Sequence, residues 1–161
     1  MKALSFSSCS AAVAALSLAA IIGLVGCGGE PQATPQQKEA VAEIRKLGGE
    51  VKGPEDTAVA VRLVWTGPTV TNDELVHMKD LTELRYVSLS DTAVTDAGLE
   101  HLNGLTGLHF LDLSGTQITD AALVHLQDMS ELQYLWLNDT QVTDSGVNEL
   151  KLELVKCVIQ Q

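Results

Sequence analysis

One hydrophobic pattern recurs four times along the chain with a period of 24 residues. The four copies begin at Thr57, Leu81, Leu105 and Met129. In the second copy, Leu84, Val87 and Leu89 share one side of a short extended segment, which predicts a strand with one buried face. Val94 and Leu99 follow at wider spacing, which favours a turn and then a helix that packs back onto the strand. The pattern therefore predicts strand–turn–helix units, each too small to bury its apolar face alone.

The shared core of the copies reads L-x-x-L-x-L-x-x-T-x-[VI]-T-D-x-x-[LV]-x-x-L. This core resembles the leucine-rich repeat, a family whose units stack into solenoids. The resemblance implies an α/β solenoid with a short parallel sheet, one helix per repeat and four repeats at residues 57–152. Most variants of the family carry Asn or Cys where this chain has Thr92, Thr116 and Thr140, and the first copy departs with Pro68. We expect these Thr hydroxyls to bond backbone groups where the chain leaves the sheet.

A helical pattern precedes the repeats. Ala40, Val41, Ile44 and Leu47 recur at helical spacing between charged residues, with Pro35 before the segment and Gly48 after it. An exposed end of a repeat stack must be capped. We therefore assign residues 37–56 to an N-terminal capping helix and its connection to the repeats.

The C-terminal segment carries a fragment of the strand pattern. Its apolar positions Leu154, Cys157 and Ile159 echo Leu132, Leu135 and Leu137. Residues 153–161 are therefore predicted to form a capping strand from Leu154 to Ile159. The same echo predicts that Cys157 is a buried core thiol, and the alternative is a reactive or dimer-forming thiol.

The first residues have the composition of an export signal. An uncharged apolar run extends from Ala11 to Val25 after the single positive charge of Lys2, and it is shorter than a spanning helix requires. The run ends in Leu-Val-Gly before Cys27, which resembles the bacterial lipobox. The resemblance implies a signal peptide at residues 1–26, cleavage before Cys27 and a lipid on its thiol. An uncleaved signal anchor and an ordinary signal peptide with a chance cysteine are the alternatives.

The segment after Cys27 reads GGEPQATPQ, with two prolines and no apolar periodicity. We predict a flexible tether at residues 27–36. The lipid and the tether would place the domain in a bacterial cell envelope, outside the cytoplasm and attached to a membrane.

The formal net charge of −11 argues against two kinds of binding partner, nucleic acids and anionic membrane surfaces. Nucleic acid binding needs a basic footprint, so we expect no nucleic acid partner. Anionic head groups would also repel the chain, which leaves membrane attachment to the lipid on Cys27. Of the three cysteines, only Cys157 lies in the predicted fold, so it can form neither an intramolecular disulfide nor a zinc site.

The outward side of the predicted sheet is the candidate binding face. Two columns of side chains run across it: Arg62, Tyr86, Phe110 and Tyr134, then Val64, Ser88, Asp112 and Trp136. Exposed aromatic side chains at this density suggest a contact surface. The alternative is that like residues simply stack on neighbouring strands. The predicted binding residues are Arg62, Tyr86, Ser88, Phe110, Asp112, Tyr134 and Trp136.

Two further columns of residues, one of histidines and one of aspartates, can be explained without a metal-binding site. His77, His101 and His125 share a column with Glu149, and repetition accounts for them without a metal. The Asp residues that follow each Thr, such as Asp96, can cap helix N-termini, and the chain lacks the spacing of a calcium loop. We find no phosphate-binding loop or catalytic motif, and expect neither a cofactor nor enzymatic activity.

The leading hypothesis is a non-catalytic, membrane-anchored protein-interaction module of the bacterial cell envelope. One alternative is a structural envelope protein that self-associates through repeat edges. Another is a carbohydrate binder that uses the aromatic column. The sequence itself names no protein partner.

Overall fold

The computed structural model describes residues 33–53 and 62–161. The predicted signal peptide, the lipidation of Cys27 and the tether up to residue 32 lie outside the described residues, as do residues 54–61. Within the described ranges, no helix is both long and apolar enough to cross a membrane.

The N-terminal helix α1 spans Pro35–Lys46 and begins two residues before the predicted start at Gln37. Thr34 fixes this start, because its hydroxyl accepts from the backbone N–H of Gln37 at 3.2 Å. The side chain of Gln37 in turn accepts from the N–H of Thr34 at 2.9 Å, which completes a capping box. Proline suits the first helical position, where its missing N–H costs nothing. The helix buries Ala40, Val41 and Ile44 and so covers the first end of the stack, whereas Leu47 lies at its C-cap and is 44% exposed, not buried as the pattern predicted.

Within the described residues, six three-residue strands form one sheet in chain order, with β1 antiparallel to β2 and all later neighbours parallel. They are β1 (Glu50–Lys52), β2 (Arg62–Val64), β3 (Tyr86–Ser88), β4 (Phe110–Asp112), β5 (Tyr134–Trp136) and β6 (Val158–Gln160). From β2 onward each residue pairs with the residue 24 positions later, so the sequence period becomes the register of the sheet. The repeat pattern did not predict β1, because that strand lies outside the 24-residue period.

Helical elements lie between the successive strands from β2 to β6, and most are 3₁₀ helices. They are η1 (Asp73–Met78), η2 (Asp96–Leu102), η3 (Asp120–Leu126) and one α-helix, α2 (Asp144–Glu153). A 3₁₀ helix rises about 2.0 Å per residue against about 1.5 Å for an α-helix. Seven residues of 3₁₀ helix therefore span roughly 14 Å. The chain can thus run back to the start of the next strand within a short repeat. The predicted helix of each repeat is present, in this tighter form for three of the four.

The core lies between the sheet and the helical elements. The central residues of the inner strands are fully buried: Leu63, Val87, Leu111 and Leu135. Val94 and Ile118 close the core at the turns, and Leu99 and Leu102 meet it from η2, as the sequence predicted. The Thr column also behaves as predicted, since the hydroxyl of Thr92 donates to the carbonyl of Leu89 at 2.7 Å. Thr116 and Thr140 repeat this bond at 2.6 and 2.7 Å.

The predicted role of the aspartates as helix caps is wrong for Asp96, Asp120 and Asp144, because the Thr before each of them is the N-cap residue. Thr119 caps η3 instead, because its hydroxyl accepts from the N–H of Ala121 at 3.2 Å. The carboxylate of Asp96 reaches forward to the next repeat, where it accepts from the N–H and hydroxyl of Thr119 at 2.7 and 2.8 Å. Asp120 binds Thr143 in the same way, with both distances 2.7 Å. We call this series, which begins with Asn72 and Thr95, the Asx–Thr ladder.

The predicted alignment of the C-terminal strand is shifted. Ile159 pairs with Leu135, not with Leu137, and β6 begins at Val158 and not at Leu154. The reason is that α2 continues to Glu153, after which a turn closes between the N–H of Cys157 and the carbonyl of Leu154 at 3.0 Å. The last strand thereby keeps the 24-residue register of the sheet.

The concave face as the candidate functional site

The outward residues of five parallel strands form a continuous surface. Because side chains alternate along a strand, the residues that flank each buried central residue point away from the core. The predicted columns therefore lie side by side, with Tyr86 in register with Phe110 and Phe110 with Tyr134. The structure extends them onto β6, where Val158 adjoins Tyr134 and Gln160 adjoins Trp136. We call this surface the concave face.

Four side chains on this face stack in one row. The guanidinium carbon of Arg62 lies 4.6 Å from the centre of the Tyr86 ring. The Tyr86 and Phe110 rings are parallel within 1°, with centres 4.3 Å apart. Phe110 then meets Trp136 edge to face at 4.9 Å and 76°. Strands about 4.8 Å apart impose this spacing, which suits offset-stacked and edge-to-face ring pairs. We call Arg62, Tyr86, Phe110 and Trp136 the aromatic row.

Stacking decides which parts of these rings a partner can reach. One face of Tyr86 is covered by Arg62 and the other by Phe110. Tyr86 and Phe110 are accordingly only partly exposed. Tyr134 and Trp136 keep 48% and 38% of their surface accessible. The accessible aromatic surface is therefore concentrated at the C-terminal end of the concave face.

Two of the predicted binding residues lie on this face but are covered. Ser88 is 4% exposed and Asp112 is 7% exposed. One carboxylate oxygen of Asp112 accepts from the hydroxyl of Ser88 at 3.3 Å, and the other accepts from the N–H of Ser114 at 3.0 Å. These bonds satisfy a buried polar group. Ser88 and Asp112 therefore support the face from below and are not accessible for contact.

The end of each strand from β2 to β5 carries a feature that the repeat motif does not include. Gly67, Asp91, Gly115 and Asp139 all adopt positive φ, between 56° and 106°. These residues stand 24 positions apart, so the chain leaves every inner strand through the same left-handed turn. Asp tolerates this conformation better than most residues do. The alternation of Gly and Asp in one column of the sequence is the signal that could have revealed the turn.

The remaining candidates do not assemble into a chemical centre. His77, His101 and His125 lie on successive 3₁₀ helices, as their column predicted. Across residues 33–53 and 62–161, no group of three or more His, Cys, Asp or Glu side chains is placed to hold a metal ion. Cys157 is buried, as predicted, and burial raises the pKa of its thiol to about 11. A neutral thiol is a weak nucleophile, so the structure favours the core role over the reactive one.

Comparisons with known proteins agree with the architecture. A family model described as Leucine Rich repeat matches residues 105–126. A crystal structure of an internalin from Listeria monocytogenes is 22% identical, covers 76% of this chain and superposes with a TM-score of 0.55. This chain spans 35% of that internalin. A leucine-rich-repeat protein of Leptospira interrogans is also 22% identical, over 53% of this chain and 21% of its own, with a TM-score of 0.44. No curated protein matches the chain. The fold is therefore the predicted α/β solenoid of leucine-rich repeats.

Proposed function

We propose that this chain is a non-catalytic protein-interaction module that a lipid on Cys27 holds at a membrane of the bacterial cell envelope. The observation that carries the proposal is the exposed end of the concave face, where Tyr134 and Trp136 remain accessible. Tyr, Trp and Arg are the residue types that dominate the binding energy of protein interfaces. Rigid aromatic side chains also lose little conformational freedom when they bind.

The covered rings in the middle of the aromatic row favour a protein partner over a carbohydrate there. Aromatic recognition of a sugar ring uses a free ring face, and the faces of Tyr86 are occupied by Arg62 and Phe110. In the middle of the row the ring edges remain accessible, and ring edges suit the mixed polar and apolar surface of a polypeptide. The acidic charge of the chain further favours encounters with neutral or basic partners.

The width of the face limits how tightly it can bind alone. Five parallel strands about 4.8 Å apart span roughly 20 Å, whereas a stable interface covers about 800 Å² on each partner. A partner must therefore also contact the loops beside the strands, or bind weakly.

A paired-variant experiment tests the binding face. Cells that express the full chain are treated with a cross-linker, and the adducts of wild type, Tyr134→Ala/Trp136→Ala and Val124→Ala are compared by mass spectrometry. Val124 is a matched control, because it is exposed but lies on η3, away from the sheet. We expect one set of adducts to be lost in the double variant and kept in the control. Equal adducts in all three proteins would contradict the concave face as the binding site.

The membrane part of the proposal has a separate test. The mass of the purified wild-type protein should show removal of residues 1–26 and an added lipid, and Cys27→Ser should move the protein out of the membrane fraction. An intact Met1, or no lipid mass, would contradict the anchor without affecting the binding face.

A further inference from the structure

The two edges of the sheet are chemically different. At the N-terminal edge, β1 carries Glu50 and Lys52, which form an ion pair at 3.2 Å. Charged side chains on an edge strand discourage pairing with another chain. At the C-terminal edge, β6 consists of Val158, Ile159 and Gln160 and carries no charge. Only the β6 edge is therefore suited to pairing.

Most of the exposed apolar side chains lie in the last two layers of the stack. Among the described residues, seven large hydrophobic side chains remain exposed, and five of them lie on β5 or in the last layer of the stack. The five are Tyr134, Trp136, Leu152, Val155 and Val158. Val158 and Tyr134 are neighbours in the sheet register, so the concave face and the edge share apolar surface.

At this edge, the groups that bind the next repeat elsewhere in the stack have no hydrogen-bond partner among the described residues. Asp144 occupies the ladder position of Asp96 and Asp120, and its carboxylate accepts no hydrogen bond from the described residues. The N–H of Val158 donates to the carbonyl of Gln133 at 2.8 Å, and the carbonyl of Gln160 accepts from Leu137 at 2.8 Å. Because alternate residues of a parallel strand face the same neighbour, the N–H and C=O of Ile159 face outward.

We propose that the outer edge of β6 is the interface for a second copy of this chain, paired antiparallel about a two-fold axis. Ile159 of each copy lies on the axis, where the two residues exchange both backbone hydrogen bonds as a hydrogen-bonded antiparallel pair does. Val158 of both copies flanks this pair, and the exposed Leu152 and Val155 belong to the same layer of each copy. The same patch serves both partners, as a closed two-fold dimer requires.

The charges around the edge complement one another in this arrangement. Lys156 lies where β6 begins, whereas Asp144 lies at the opposite end of the layer, where the strands finish. An antiparallel partner brings the beginning of one β6 beside the end of the other. Lys156 of each copy therefore approaches Asp144 of its partner, and opposite charges across an interface fix its register.

A second copy fits this edge better than the other occupants. Three residues span only about 10 Å, so backbone pairing with a short extended peptide would leave most of the exposed apolar side chains uncovered. Head-to-tail stacking would instead bring β6 against the charged Glu50–Lys52 edge. The dimer goes beyond the proposed function, because it needs no other protein. It also joins two concave faces into one sheet surface of about 45 Å.

Sedimentation of the full chain in density-matched detergent, over a wide concentration range, tests the dimer. The key comparison is Val158→Lys against Val124→Lys, since the two valines are 60% and 57% exposed and receive the same substitution. We expect wild type and Val124→Lys to be dimers that dissociate on dilution. Val158→Lys should raise the dissociation constant by about tenfold or more, with an unchanged circular dichroism spectrum.

A charge exchange provides a second test that does not depend on β6 itself. Lys156→Glu should weaken the dimer, and Lys156→Glu with Asp144→Lys should restore it. A monomeric wild type, an open series of larger masses, a Val158→Lys protein as dimeric as wild type, or a double charge variant no better than the single one would each overturn the proposal. None of these outcomes bears on binding at the concave face, which the cross-linking comparison tests separately.

Discussion

The Asx–Thr ladder makes the sharpest prediction about stability. In Asp96→Ala, the N–H and hydroxyl of Thr119 lose a carboxylate that accepts from both at 2.7 and 2.8 Å. A hydrogen bond to a charged group contributes about 1.5–3 kcal/mol, and the partial exposure of this pair reduces the sum of its two bonds to about the value of one. We expect the free energy of unfolding to fall by about 1.5–3 kcal/mol. With a urea dependence of about 1–3 kcal/mol per molar, the midpoint should fall by roughly 1 M.

Asp144→Ala is the matched control for that change. Asp144 follows a Thr in the same motif, but its carboxylate has no ladder partner among the described residues. It contributes only its charge near the start of α2, which is typically about 0.3–1 kcal/mol. A capping role would make the two substitutions equally costly, whereas the ladder makes Asp96→Ala the more costly of the two.

Urea unfolding followed by tryptophan fluorescence measures both variants, because Trp65 is buried and reports loss of the core. The proteins are kept dilute, so that association does not contribute to the measured stability. A double-mutant cycle with Thr119→Val should give a coupling energy of about 0.5–1.5 kcal/mol for the side-chain bond. Equal losses for Asp96→Ala and Asp144→Ala, or no coupling to Thr119, would refute the ladder.

Three further predictions concern the core and the ladder carboxylates. Leu111→Ala should lower the free energy of unfolding by about 2–5 kcal/mol, because it opens a cavity at a fully buried central position, and urea unfolding checks this. Cys157 should resist alkylation at pH 8 in the folded chain and react once urea unfolds it, because burial keeps its thiol pKa near 11, and peptide mapping reports the modified site. Rapid alkylation of the folded chain would contradict its burial. The bonds from the backbone and hydroxyl of Thr143 lower the pKa of Asp120 below its usual value of 3.8, and the carboxyl carbon shift measured by NMR against pH should show this. The stability from those bonds is present above the ordinary aspartate pKa and is lost as pH falls through the lowered one.

The binding face was predictable in its position but not in its accessibility. The 24-residue period places Tyr86, Phe110 and Tyr134 in one column from the letters alone. The same reasoning counted Ser88 and Asp112 as contact residues, because alternation assigns a face but not an exposed fraction. Their burial depends on the polar groups that meet the Asp112 carboxylate, one of which is 24 residues away in the chain.

The sequence by itself determined the repeat, the inward leucines and the register of the four repeat strands, β2 to β5. It could do so because a strict period allows neighbouring strands to pair in only one register that keeps every apolar side chain inside. The tertiary structure decided where Asp96 directs its carboxylate, which ring faces the stacked row covers, and where β6 begins. Each of these depends on contacts between neighbouring repeats, and the local sequence does not specify those contacts. The local pattern around Asp96 fits a helix cap as well as it fits a ladder, and only the stacked neighbour supplies Thr119.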